Sequence, residues 1–241
     1  MSCNNINLTP EESIALAISD GKLSNAEVVN IFGYQINVGN SFIPIWENAA
    51  TYTYPGGELT MTAVSSSASD TANTVTVVGL DSNYEVVSDS QTLNGTSAVT
   101  LSGTDFFRIN SVIITGAVNV GAITIANGGT TYAKVRAGDG KSQAALYTVP
   151  AGKSFFLYRL NAFSPDATTA NYAAIRNFVV NNGTGTAFLV GQTGFLNELN
   201  IQRRFPFKYG EKTDLQLQGR SETATAVLIS TFAEGILVDN G

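Results

Sequence analysis

The feature that most constrains this chain is its punctuation. Runs rich in Val, Ile, Thr and Leu are cut at near-regular intervals by turn clusters: Asp81-Ser82-Asn83, Asn94-Gly95-Thr96 and Asn127-Gly128-Gly129. β-Branched side chains fit the pleat of a strand, while Asp, Asn and Gly tolerate the backbone geometry of tight turns. Within 74–80, Val75, Val77 and Gly79 alternate with Thr74, Thr76 and Val78, which predicts a sheet with one buried face. Strands are predicted at 59–64, 74–80, 85–93, 106–115 and 122–126. After the loop Ala137-Gly138-Asp139-Gly140-Lys141 they resume at 144–149, 155–163, 172–180, 187–190, 214–218 and 224–238. Short strands with turns at this spacing predict an all-β fold of the β-sandwich or jelly-roll type. The glycine loop divides it into two β modules, 34–137 and 143–241.

The first 33 residues read differently. Thr9-Pro10-Glu11-Glu12 combines an N-cap, a proline at the first helical position and a glutamate at the third, which is a capping box. Ser24-Asn25-Ala26-Glu27 repeats the pattern, and Gly21 and Gly33 supply stops. Two short helices are therefore expected within 1–33. Helices this short are marginal alone, and Ile14, Ile18, Val28 and Phe32 need burial, against either the chain's own body or a neighbouring subunit. Those four residues are the candidate subunit interface, and 1–33 is the candidate attachment segment.

Composition narrows the function classes. Charged residues make up 13% of the chain, about half the usual share. The polar surface must be carried by Thr, Ser, Asn and Gly, as suits a subunit covered by neighbours, because charge is depleted at interface centres. Net charge is −6 and the only basic run is Arg203-Arg204. A groove that tracks phosphates needs several bases on one face, so direct nucleic-acid binding is not expected. No signal peptide is read in Met1–Pro10 and no apolar run reaches transmembrane length, so no membrane partner is expected. With one cysteine, Cys3, an intrachain disulfide is impossible.

Catalytic chemistry finds little purchase. Histidine is absent, which removes Ser-His-Asp and Cys-His nucleophiles and His-based zinc sites. Gly140-Lys141-Ser142 and Gly152-Lys153-Ser154 look like phosphate loops, but the earlier glycine each requires is replaced by Val135 and Tyr147. The 19 acidic residues are scattered singly, with none in a recognisable glycosidase context. Asp81, Asn83 and Asp89 suggest calcium only weakly, because Asp-x-Asn is first a turn signature. No catalytic, metal or cofactor residue is assigned. Asn-x-Ser/Thr triplets begin at Asn7, Asn94 and Asn182 and matter only in a secretory pathway. Trp46, Tyr52 and Tyr54 beside Pro55-Gly56-Gly57 are read first as core packing, with contact to a saccharide ring as the alternative.

A resemblance adds to this reading. Val64-Ser65-Ser66-Ser67-Ala68-Ser69-Asp70 is followed by Thr74-Val75-Thr76-Val77, Gly79-Leu80-Asp81-Ser82-Asn83-Tyr84 and Thr92-Leu93-Asn94-Gly95-Thr96. Then come Phe107-Arg108-Ile109-Asn110 and Val120-Gly121-Ala122-Ile123-Thr124. In this order the segments, about residues 59–126, resemble a family of virion structural proteins of tailed bacteriophages, well represented among marine and cyanobacterial phages. Tyr147-Thr148-Val149-Pro150-Ala151-Gly152-Lys153 and Glu211-Lys212-Thr213-Asp214-Leu215 are similar to the second half of such proteins. One departure is the short Thr71-Ala72-Asn73 link, where the family often has a longer glycine-rich insert. The resemblance implies a non-enzymatic virion protein, assembled in the host cytoplasm, with other virion proteins (major capsid protein or tail proteins) as partners and homo-oligomers expected. A capsid decoration or cement protein is the first reading. A tail or baseplate accessory protein and a receptor- or carbohydrate-binding tail module are the alternatives.

Overall fold

The computed structural model describes residues 16–48 and 50–241; of these 58% are strand and 2% helix, so the chain is all-β. Its short helix is residues 16–19, with Ile18 buried; Ile14 lies outside the described residues. The second helix expected within 24–33 is replaced by a strand, β1 (Ala26–Val38), whose antiparallel partner is the C-terminal strand, Ala26 opposite Val238 and Val38 opposite Val227. The Ser24-to-Glu27 pattern fits a helix cap, but Val28, Val29 and Ile31 are β-branched and lose side-chain freedom in a helix. A long strand able to pair throughout outweighs a marginal helix. The short β2 (Ile43–Pro44) pairs likewise with Gln218 and Gly219. Residues 26–44 thus complete the C-terminal sheets, and the first module does not begin at residue 34.

The next strands are β3 (Thr62–Ser65), β4 (Thr74–Leu80), β5 (Val86–Thr92), β6 (Val99–Thr100), β7 (Arg108–Thr115), β8 (Ile123–Asn127) and β9 (Thr130–Val135). They form two antiparallel sheets, ordered β6-β3-β8-β9 and β5-β4-β7. Val75, Val77, Val112 and Ile114 from the second sheet share one buried cluster with Ala63, Ile123, Ile125 and Val135 from the first. The alternation in β4 falls as expected, with Val75, Val77 and Gly79 buried. Gly79 is needed for close approach: a Cβ there would lie 2.1 Å from the Arg108 carbonyl oxygen. Gly95 is needed for its turn, with φ of 57° between the bridged Asn94 and Ser97.

The remaining strands are β10 (Leu146–Thr148), β11 (Lys153–Ser164), β12 (Ala173–Asn181), β13 (Thr186–Phe195), β14 (Asn197–Tyr209), β15 (Thr213–Ser221) and β16 (Val227–Asp239). Their sheets are ordered β1-β16-β11-β14 and β10-β15-β12-β13, with β2 also on β15. Between them lies a second core, in which Ile31, Phe155, Leu157, Ile229 and Leu237 share one cluster with Tyr147, Ile175, Val179 and Leu217. An irregularity between Leu157 and Arg159 shifts the register of β11 against both neighbours. Phe155 and Leu157 are buried before it and Ala162 after it, so buried positions change from odd to even numbers. That change leaves Phe163 on the outer face, 48% exposed.

The serine-rich loop after β3 has its own anchor. Asp70 is fully buried and accepts hydrogen bonds from the Ser65 hydroxyl and the amides of Val120 and Gly121. Burial alone would raise its carboxyl, but these donors outweigh it and hold it below the usual range. Asp70→Ala orphans all three donors and should cost about 2 kcal/mol or more at pH 7. The folded pKa is depressed, so this stabilisation is present above the unfolded value of about 4 and is lost as pH falls through the folded value. Urea unfolding of both proteins across that range should show the deficit of the variant narrowing in acid.

Candidate functional site

Two kinds of site emerge, one sealed between the halves of the chain and one open on the surface. The sealed site centres on Arg108 of β7 and Asp214 of β15. Their side chains are almost fully buried and form a bidentate ion pair, Nε to Oδ1 at 3.0 Å and Nη2 to Oδ2 at 3.1 Å. Thr148 of β10 donates its hydroxyl to the same carboxylate at 2.6 Å. The guanidinium also donates to the Phe107 carbonyl and lies over the rings of Phe107 and Tyr54, at 4.0 and 4.5 Å from their centroids. Desolvation is offset here on every side: by opposite charge, by hydrogen bonds and by ring faces.

The neighbouring backbone closes the same junction. Asn110 and Thr148 exchange two hydrogen bonds, Ala151 donates to the Tyr84 carbonyl, and Val149 pairs with Lys212 and Thr213. Segments that carry the resemblance in both halves therefore meet here: Gly79–Tyr84, Phe107–Asn110, Tyr147–Lys153 and Glu211–Leu215. They form a joint with no open cleft around the charged pair.

The aromatic cluster belongs to this joint and does not form a saccharide platform. Trp46 is 1% exposed and Tyr52 7%, packed edge to face at 5.0 Å, with Tyr54 edge-on to Tyr52 at the same distance. Trp46 donates its indole N–H to the Ala50 carbonyl. A sugar ring could not reach Trp46 or Tyr52, and Tyr54 presents its face to Arg108. The residues suggested for calcium are likewise occupied: Asp81 accepts from the amides of Asn83 and Glu85, and Asp89 from Ser90 and Gly103. Among the described residues no three acidic or cysteine side chains are grouped to hold a metal, and no helix is long and apolar enough to cross a membrane.

The open site is the outer face of the β1-β16-β11 sheet. Alternation puts Val28, Phe32, Tyr34 and Ile36 on one face of β1, with Phe32 directly opposite Phe232 of β16. Their ring centroids are 5.1 Å apart. Phe163 lies beside them, and Phe32, Ile36 and Phe163 are 40, 56 and 48% exposed. Tyr34 is covered by Arg136, 3.7 Å above its ring. Of the four residues expected at a subunit interface, Val28 and Phe32 are on this face; Ile18 is buried within the subunit. Phe163 and Phe232 went unassigned in the sequence because the shift in β11 disguises which face Phe163 takes. The long-range pairing of β1 with β16 has no local signal.

No protein-family model matches the chain, and no curated protein matches it in sequence. Among solved structures it is similar to a mutant VP2 protein of infectious bursal disease virus in derived T=1 particles, at 11% identity over 90% of this chain and 70% of that one, with a TM-score of 0.29. The VP2 subviral particle of the same virus gives 12% identity over 97% and 78%, with a TM-score of 0.27. Scores of this size do not establish a shared architecture.

Two outcomes follow from the joint. Arg108→Met should destabilise the chain by about 3–5 kcal/mol, because Asp214 is left as an unpaired buried charge; adding Asp214→Leu should recover much of the loss in chemical denaturation. Beside Trp46, Glu47 has both carboxylate oxygens buried without a hydrogen-bond partner among the described residues. Burial pushes its carboxyl up from 4.5 to about 7, only partly offset by the nearby backbone of Gln143 and Arg136. A raised folded pKa means a contribution fully present below about pH 4.5 and lost as pH rises through about 7. Glu47→Gln should therefore melt higher than the parent at pH 8, with the gap closing by pH ~4.

Proposed function

We propose that this chain is a non-enzymatic structural subunit of a virus particle of the tailed-bacteriophage type. Its role in this reading is that of a capsid-associated decoration protein, which stabilises the shell by docking on the major capsid protein. The observation that carries the reading is the apolar outer face of β1, β16 and β11, where Phe32, Ile36 and Phe163 stand 40–56% exposed. Isolated apolar side chains on a surface mean little, but adjoining aromatics on one sheet face mark a contact surface. The chain is poor in charge, so little repels a partner from that face. The resemblance of the junction segments to phage virion proteins supports the tailed-phage part of the reading. Catalysis has no place in it: the best-formed charged cluster is sealed by aromatic rings and devoted to joining two cores.

Each exposed Phe, on full burial against a partner, contributes roughly 1.5–3 kcal/mol before ordering costs. Repetition over a symmetric shell adds avidity. Phe32→Ser with Phe163→Ser should leave the subunit folded and remove it from particles assembled in its presence. Wild-type copies should number in the hundreds per particle and map to the shell in a reconstruction. Normal incorporation of the double variant, or a location in the tail, would falsify the decoration reading.

A further inference from the structure

We infer that β13 is a dimerisation edge, pairing antiparallel with β13 of a second copy of this chain across a two-fold axis. The argument starts from how the other sheet edges are protected. An edge strand exposes unpaired backbone groups and is normally blunted by charge, proline, shortness or cover. Among the described residues, β2, β6 and β10 are three residues or fewer. Glu27 lies on β1, Asp89 on β5 and Lys134 on β9, while β7 is covered by residues 140–142, Ile114 donating to the Gly140 carbonyl and Ser142 to that of Val112. β1 is also partly covered, since Tyr34 donates to the Gln143 carbonyl. β14 carries Arg203, Arg204, Pro206 and Lys208.

Among the described residues β13 lacks these protections, apart from a bulge at Val190. Its ten residues, Thr186–Phe195, include no charge and no proline. It pairs with β12 on one side, and among the described residues no backbone hydrogen bond reaches its other side. Thr186 to Leu189 are exposed in succession, so both faces of this end are open, with Phe188 at 46% and Leu189 at 50%. Gly191 sits in mid-strand with nothing of its own chain within 4 Å of where a Cβ would lie and without a positive φ. It lies at a bulge, where Val190 is the extra residue of β13 against Asn177 and Phe178 of β12. The open space beside it leaves room for another backbone to approach.

Charge identifies the occupant as a second copy. An uncharged strand offers no complement to a charged partner and no repulsion to itself. The adjoining β14 is polarised, with Glu198 at its start and Arg203, Arg204 and Lys208 toward its end, all exposed. An antiparallel two-fold at β13 also sets the two copies of β14 start to end. Glu198 of each copy then faces the basic end of the other. The contact is isologous and closes at two chains, joining two β10-β15-β12-β13 sheets into one. Glu198 borders the Phe32–Phe163 face, lying opposite Phe163, but the contact uses none of the exposed Phe side chains of that face and stands independently of the virion reading.

The test uses the full chain in sedimentation velocity over a concentration series, with Leu189→Lys as the principal variant. A lysine on each strand sets like charges against each other and should weaken the dimer about a hundredfold, with the melting temperature at low concentration unchanged because Leu189 is already half exposed. Phe32→Ser serves as a control that should leave the dimer intact. Cross-linking of the wild type should connect β13 to β13. A monomeric wild type, a trimer or larger ring, or a dimer that survives Leu189→Lys would overturn the inference. Loss of the dimer in the Phe32→Ser control would instead move the interface to the β1 face.

Discussion

The Arg108–Asp214 pair is the constraint on which the rest of the structure depends. Each half of the chain has its own apolar core, and neither core crosses the boundary. What joins them is a small aromatic cluster around a polar centre: a bidentate ion pair, the threonine that supports it, and two hydrogen bonds between Asn110 and Thr148. Apolar packing is non-directional and would tolerate a range of angles between two sandwiches. A fork-to-carboxylate contact is satisfied in one geometry, and its failure leaves a charge stranded away from water. Such a pair gives little net stability relative to an apolar substitute, so its contribution here is orientation. The placement of the β3–β9 sheets relative to the Phe32 face and the β13 edge, which both belong to the other pair of sheets, inherits that orientation.

How much of this was legible in the sequence depends on the range of the signal. Local signals were read well. The period-two run at β4 matches its strand residue for residue, and Gly95 adopts the positive φ its turn needs. The glycine loop before residue 143 follows the last strand of the β3–β9 sheets, but β1 and β2, earlier in the chain, belong to the other pair of sheets. Errors arose where a distant partner decided the outcome. Val28 to Gly33 carried a cap and a stop suited to a helix, and only the presence of β16 makes that stretch a strand. β14 was missed because Asn, Arg and Pro interrupt its apolar residues, and its pairing with β11 has an irregularity where Arg203 to Pro206 lie. The site was less legible still. The aromatics at 46–54 are packed as the commoner reading had it, but no local pattern shows that they enclose an arginine from another strand.

The segments that carry the resemblance take on a physical meaning in the folded chain. Gly79 allows the backbone of β7 to approach, Tyr84 and Phe107 meet edge to face at 5.5 Å, Arg108 reaches across to Asp214, and Thr148 donates to the same carboxylate. Asp70, in the serine-rich segment, fixes Val120 and Gly121, which belong to a third segment of the set. A pattern of this kind is what a structural protein needs: it fixes strands, loops and the joint between cores while leaving the outer faces free to vary. It specifies a framework and assigns no chemistry to it.

The outer faces explain the scarcity of charge. A freely soluble domain of this length would spread many more ionised side chains over its surface, because they keep neighbours apart. Here the bases that do reach the surface are partly neutralised within the chain or held against rings, as Arg220 is by Glu222 and Arg203 by Phe207. The surface is left with Thr, Ser, Asn and Gly around exposed Phe and Leu. Polar uncharged groups shed their water at a far smaller cost than ions do. A surface built from them can be buried against a neighbour without finding a counter-ion for each group. The composition that argues against a phosphate-tracking groove thus also suits the docking proposed for this chain.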